Sequence, residues 1–167
     1  GCQALTAITL GSKTEYIGWG AFNNCDMITA MSIPASVEYI DGWMFYYSGI
    51  KNFSVAEDNE NYISKVGLIL SKDGKTLVAF PAGRIGDFEI PEYIETINGG
   101  AFARGSISKV IIPESVKVIS DSAFEGYNGS VVVKGQLDYV ESWAFRAFQG
   151  SVISIYFLGG APLEIGT

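Results

Sequence analysis

Apolar residues recur along the chain at i, i+3 and i+5: Leu5-Ile8-Leu10, Ile28-Met31-Ile33, Ile50-Phe53-Val55, Ile85-Phe88-Ile90, Ile107-Val110-Ile112 and Val152-Ile155-Phe157. A further copy, Asn128-Val131-Val133, keeps only the last two positions. The middle residues of successive copies lie 23, 22, 35, 22, 21 and 24 positions apart. A second pattern, V-x-x-I-x-x-x-A-F, ends at Phe22, Phe45, Phe102, Phe124 and Phe145, each with a β-branched aliphatic five positions earlier: Ile17, Ile40, Ile97, Ile119 and Val140. An i, i+2 alternation over a few residues predicts a short strand with one buried face, and a near-constant return predicts coils that stack. Stacked strands of this kind are parallel, about 4.8 Å apart, and each coil buries its apolar face only against its neighbours. Pro34, Pro91 and Pro113 directly follow the last strand residue, where a residue without an N–H ends a strand and starts a turn. No segment between the Gly and Pro breaks suits a long amphipathic helix, so only short helical turns are expected, near the Ala-Phe corners.

The unit C-x-x-L-x-x-I-x-L/I-P-x-S-V-x-x-I-x-x-x-A-F, seen best in Cys25 to Phe45 and Ile107 to Phe124, resembles the leucine-rich repeats of BspA-type bacterial surface proteins. The resemblance covers nearly the whole chain, including the closing segment Ile155 to Pro162. Gly11 and Lys134 stand where proline is usual, and only Cys2 and Cys25 keep the Cys column. The resemblance implies a mainly β fold, a right-handed leucine-rich-repeat solenoid of about seven 21–24-residue coils. It also implies one domain over 1–167, a fragment of a longer array, in a secreted or cell-surface protein that adheres to host matrix proteins, other cells or their glycans.

One step in the repeat is about 13 residues too long. Between Glu57 and Gly86, two apolar runs, Val66 to Leu70 and Thr76 to Phe80, are joined by Ser71-Lys72-Asp73-Gly74-Lys75. Asp-Gly between such runs predicts a hairpin, because Gly supplies the positive φ of a tight turn. A β-hairpin insert at about 57–86 is expected to project from the coil that follows Val55, or to cap one side of it.

Composition narrows the chemistry. The 11 basic and 18 acidic side chains leave a net charge of −7, which makes nucleic acid and anionic membrane surfaces poor partners. Histidine is absent, which removes Ser-His and Cys-His nucleophilic catalysis and His-ligated zinc. No phosphate-binding loop, G-x-S-x-G or dinucleotide fingerprint occurs, and the acids are scattered through turns rather than paired. No apolar run approaches membrane-spanning length, and Gly1-Cys2-Gln3 does not begin a signal peptide. An enzyme is not expected, nor any cofactor or metal.

Cys2 and Cys25 occupy equivalent positions on adjacent coils, close enough for a disulfide, but parallel side-chain vectors make its torsion hard to reach and favour buried free thiols. Glu57-Asp58-Asn59-Glu60-Asn61 concentrates oxygen ligands of the type Ca²⁺ takes, without EF-loop spacing; a solvated loop is the preferred reading. Trp19, Trp43 and Trp143 precede the Ala-Phe corners, either as packing between coils or as aromatics that stack on sugars or anchor a protein. The outward column of the main strands, Thr9, Ser32, Ser54, Glu89, Ile111, Val132 and Tyr156, is the candidate ligand-binding surface: polar at its N-terminal end, apolar and aromatic at its C-terminal end. Two functions compete. One is an adhesion-type module for an extracellular protein or glycan; the other is a structural spacer displaying further domains. Cut repeat ends are also expected to associate end to end.

Overall fold

The computed structural model describes residues 3–147, 153–162 and 164–165. Among them the chain forms β1 (Tyr16–Ile17), β2 (Ala30–Ile33), β3 (Tyr39–Ile40), β4 (Asn52–Val55), β5 (Tyr62–Lys65), β6 (Leu68–Ser71), β7 (Thr76–Ala79), β8 (Asp87–Glu89), β9 (Thr96–Ile97), β10 (Lys109–Ile112), β11 (Val118–Ile119), β12 (Ser130–Val133), β13 (Tyr139–Val140), β14 (Ser154–Phe157) and β15 (Glu164–Ile165). Helix in the described residues is confined to one 3-10 turn, Gly42–Phe45, opened by the Asp41 carboxylate accepting from the Trp43 N–H at 2.9 Å.

On the main face β2 pairs with β4, and β8, β10, β12 and β14 pair in series, all in parallel. On the second face β1 pairs with β3, and β7, β9, β11, β13 and β15 pair in series. Register aligns equivalent positions, Val110 with Phe88 and Val131, Ile119 with Ile97 and Val140. The product is a mainly β solenoid of about six turns. Val110, Ile112, Ile119 and Val131 are fully buried, and each such burial is worth about 1.5–3 kcal/mol that a lone coil cannot obtain. The carbonyls of Pro34, Pro91 and Pro113 accept from the N–H three residues on, at 3.3, 3.0 and 3.3 Å. Gly11 closes the same turn onto Thr14 at 3.0 Å, so its departure from proline leaves that turn intact.

A phenylalanine column runs inside the corners. Phe22 stacks on Phe45 at 5.6 Å, and Phe102, Phe124 and Phe145 stack at 4.8 and 5.2 Å. Phe80 belongs to it too, 4.8 Å from Phe102 and donating its N–H to the Ala101 carbonyl as Phe102 does to Ala123. That corner is shorter: Leu77 pairs with Ile97, but Phe80 follows three positions later where Phe102 follows five.

The long step is where the chain departs most from a plain repeat. β5, β6 and β7 are antiparallel neighbours. β5 turns into β6 through Val66-Gly67, both at positive φ (45° and 74°), the two-residue turn whose twist suits a hairpin. Instead of projecting, these strands extend the second-face sheet in the order β9-β7-β6-β5, and the Tyr62 hydroxyl accepts from the Ile40 N–H at 3.1 Å to bridge β5 to β3. Leu68, Leu70, Leu77 and Phe80 enter one hydrophobic core, Ile69, Val78 and Ala79 the other. The runs are continuously apolar because both faces of this wall are covered. The main face is interrupted here: β4 and β8 do not pair, and the free edge of β4 is met by the hairpin, Phe53 N–H donating to Gly67 O at 3.0 Å and Val55 N–H to Ser64 Oγ at 3.2 Å.

Asn59 pins the point of departure. Fully buried, it donates its amide to the carbonyls of Pro34, Ala35 and Val37 at 2.9, 3.3 and 3.0 Å, and its side-chain oxygen accepts from the N–H groups of Asn61 and Tyr62 at 2.9 and 2.7 Å. The Lys72 ammonium donates to its backbone carbonyl. The segment expected as a solvated loop therefore has a structural asparagine at its centre.

Candidate functional site

Register brings Ser32 beside Ser54, and sets Glu89, Ile111, Val132 and Tyr156 in one row. Thr9 is exposed outside any strand and shares with Ser32 and Ser54 a shallow cleft of about 410 Å³. The two groups do not join, because the Val66-Gly67 turn and Arg84 stand between them. Arg84 donates from Nε to Lys51 O at 2.7 Å and from one terminal nitrogen to Val66 O at 2.6 Å and Asn52 Oδ1 at 3.1 Å. It also lies over the rings of Phe80 and Phe88, and burial lowers its pKa.

Polar side chains on and beside the column largely satisfy one another. The Ser32 and Ser54 hydroxyls are hydrogen-bonded at 2.8 Å, Lys109 pairs with Asp87 at 2.8 Å, and Lys134 reaches across β10 to Glu89. That reach passes beside Ile111, which is half-buried like Val132, whereas Tyr156 is 55% exposed next to exposed Phe157 and Leu158.

The tryptophans separate. Trp43, half-buried, lies against Gly100, where an added Cβ would come within 2.5 Å of the indole. Trp19 and Trp143 are 68% and 64% exposed, although the Trp19 ring still tilts against Tyr46 of the next coil at 5.8 Å. Trp143 shares a column with Gly20, Gly100 and Ser122, all at positive φ, and its own φ is 56°. Trp43 occupies the same column but sits in the 3-10 turn, which lets its ring fold inward. The Arg146 guanidinium lies over the Trp143 ring at 5.1 Å. On the second face Tyr16 and Tyr39 stack at 4.9 Å with rings 9° apart, both exposed.

The shortened corner at Phe80 produces a feature the repeat pattern does not announce. With that corner drawn in, the Gly42 backbone packs directly on Gly99, where a Cβ on Gly42 would overlap the Gly99 carbonyl oxygen. The adjoining recess, about 410 Å³, is lined by Tyr39, Asp41, Trp43, Asn98, Asp121 and Glu141 together with small residues. Glu141 Oε2 accepts from the Asp121 N–H at 2.7 Å. Burial and the neighbouring Asp41 carboxylate raise the Tyr39 phenol above its ordinary pKa.

Among the described residues no group of three or more Cys, Asp or Glu is placed to hold a metal, and no helix is long and apolar enough to cross a membrane. Cys25 is a buried free thiol; Cys2 lies outside the described residues.

The description of a BspA-type leucine-rich repeat region fits residues 1–66 and 78–158, in six copies. The chain belongs to this family. The stretch the BspA-type repeat leaves out, 67–77, holds β6 and the turn into β7, the part of the insert foreign to a plain coil. The BspA-type chain superposes on a leucine-rich repeat protein from Eubacterium ventriosum with a TM-score of 0.64 at 20% identity, over 80% of this chain and 37% of that one. It superposes on the pneumococcal vaccine antigen PcpA with a TM-score of 0.51 at 14% identity, over 81% and 52%. It thus spans about a third to a half of the solved proteins it matches. Comparison with curated proteins gives no match.

Proposed function

We propose that this chain is a non-enzymatic recognition module of a secreted or cell-surface bacterial protein, binding an extracellular protein or glycan through aromatic side chains that rigid coils hold in water. Trp143 carries the reading. A non-glycine residue in the left-handed region costs about 1–2 kcal/mol, and an indole left in water forgoes about as much again in burial. Neither is recovered within the described coils, where Trp143 is 64% exposed at φ 56°. Contact with a partner recovers the second, which is how tryptophan comes to dominate binding energy. The test is a screen against arrayed matrix proteins and glycans, with Trp143→Ala and Tyr156→Ala beside the parent chain. Saturable binding weakened by either variant supports recognition, and hydrolysis of generic glycosides or esters contradicts the non-enzymatic part.

A second reading, a spacer that displays other domains, has one observation in its favour: the Ser32–Ser54 hydrogen bond and the Glu89–Lys134 and Asp87–Lys109 pairs leave much of the main face satisfied by itself. A blank array shifts the weight to it.

A further inference from the structure

We propose that the break in the main sheet beside β8 is a docking edge for an extended acidic segment of another protein. The segment pairs with β8 as an added strand, sets an apolar side chain in the cleft beside Phe88 and brings a carboxylate to Lys51 and Arg84. This names a second place and a partner class beyond the recognition reading, and it uses neither Trp143 nor Tyr156.

The backbone calls for a strand. In a parallel ladder, alternate residues turn their N–H and C=O groups to the same neighbour. Ile90 N–H donates to Ile111 O at 2.9 Å, so Phe88 and Ile90 face β10, and Asp87 and Glu89 face the side on which β4 would continue the sheet. β4 does not pair there, because its edge is taken by the hairpin through Gly67 O and Ser64 Oγ; among the described residues β10 is the one strand that β8 meets. Edge strands are commonly blunted by charged side chains. Here the Asp87 and Glu89 carboxylates are drawn the other way, to Lys109 on β10 and to Lys134 beyond it. The open edge lies inside the array and is not an end of the repeat.

The side chains say what that strand carries. Ile28, Ile50 and Ile107, each three positions before the central strand residue, are 0%, 0% and 1% exposed, whereas Ile85 in the same position is 83% exposed, followed by Gly86 at φ 87°. Phe88 is half-buried, while its equivalents Met31, Phe53, Val110 and Val131 are buried. Ile85 and Phe88 border, with Phe80 and Ile107, a cleft of about 360 Å³. Opposed residues on paired strands point to the same side of a sheet, so a residue set against Phe88 points inward, into this cleft. Lys51 and Arg84 line it too, and among the described residues neither takes part in an ion pair. Arg84 bonds through Nε and one terminal nitrogen to uncharged oxygens, and its other terminal nitrogen keeps both N–H groups for a further acceptor. A carboxylate there gains charge-assisted hydrogen bonds. An extended acidic segment meets all three demands, as partners do that add a strand to an open edge; a neutral glycan has neither the alternating N–H and C=O groups nor the charge.

The test titrates the intact chain, its amide resonances followed by NMR, with a heptapeptide of alternating threonine and valine flanked by aspartates and blocked at both ends. Beside it go the lysine-for-aspartate counterpart and a form N-methylated on its three central residues, which lacks donors toward either side. The aspartate peptide should shift the Asp87 and Glu89 amides most, saturably at about 0.02 M salt and several-fold more weakly at about 0.15 M. N-methylation should weaken it about tenfold or more. Lys51→Gln and Ile85→Ser, which replace exposed side chains, should each weaken it several-fold. Lys117→Gln removes the same charge beside β11 on the second face and should change affinity less than about twofold. No saturable binding up to about 1 mM, equal binding of the lysine or N-methylated peptide, equal loss in Lys51→Gln and Lys117→Gln, or unchanged affinity in Ile85→Ser each overturns the proposal. So does a dimer in sedimentation that Ile85→Ser dissolves, which would give the edge to a second copy of the chain. A matrix hit that depends on Trp143 would survive any of these, so the two readings fail separately.

Discussion

Replacing Asn59 by leucine keeps the number and branching of side-chain heavy atoms and removes the polar atoms that fasten the insert to the preceding coil. In the native chain this fully buried amide donates to three carbonyls and accepts from two N–H groups, all at 2.7–3.3 Å. A typical intramolecular hydrogen bond contributes about 1 kcal/mol net, and a buried group left without a partner costs about 1–3 kcal/mol. The carbonyls of Pro34 and Ala35 are half-exposed to replacement by water, while Val37 is fully buried, and leucine returns some apolar burial. The net loss should be about 3 kcal/mol, which for a chain of this size lowers Tm by roughly 6–12 °C. Thermal and urea unfolding followed by circular dichroism measure it. Asn59→Asp, which keeps the two accepted bonds and loses all three donated ones, should also destabilise. A leucine variant within about 0.5 kcal/mol of the parent would refute the role given to this residue.

Other expectations follow from single contacts. The Tyr127 phenol, fully buried, is pushed from 10.0 up to about 12 by burial with the Asp87 carboxylate nearby. The folded chain then keeps a proton that the unfolded chain loses above pH 10, so stability is untouched below that pH and falls toward pH 12 by at most about 3 kcal/mol; Tyr127→Phe should flatten this alkaline limb in pH-dependent melts. Gly42→Ala puts a methyl into the Gly99 carbonyl and should cost about 1–3 kcal/mol, seen as a lower urea midpoint, with an unchanged midpoint counting against the corner contact. Thermal melts in Ca²⁺ and in chelator should coincide, because the Asn59 side chain within the acidic segment is already fully engaged by protein groups.

The stacking unit was legible because each coil repeats the same burial at the same spacing: Val110, Ile112, Val116, Ile119 and Phe124 in one coil are fully buried, as are Val131, Val133 and Leu137 in the next. Hydrophobic periodicity reports such positions directly. β5 was not legible, since Tyr62 to Ser64 are only half-buried and the turn after it, Val66-Gly67, lacks the Asn-Gly or Asp-Gly cue that marked the turn before β7. Phe80 was hidden by the two positions missing from its corner. Asn59 read as one of several polar loop residues, because a buried amide is recognised by the carbonyls around it, which lie more than twenty residues away. The main-face column was predicted in register, but not its interruption by Arg84 and the Val66-Gly67 turn. The recess was out of reach of any pattern: it depends on one short corner letting Gly42 meet Gly99. Trp43 and Trp143 share a column, and only the backbone, a 3-10 turn for one and φ 56° for the other, decides which indole faces water.

The central claim, recognition through exposed aromatics, is tested most directly by comparing the affinity of the parent chain and Trp143→Ala for the strongest array ligand at physiological salt, with Tm recorded for both. The account predicts affinity lower by about tenfold or more, a loss of about 1.4 kcal/mol or greater, while Tm changes little, because alanine keeps the Cβ that strains the left-handed backbone and the indole it removes is largely exposed. Unchanged affinity for that ligand in both Trp143→Ala and Tyr156→Ala would contradict it.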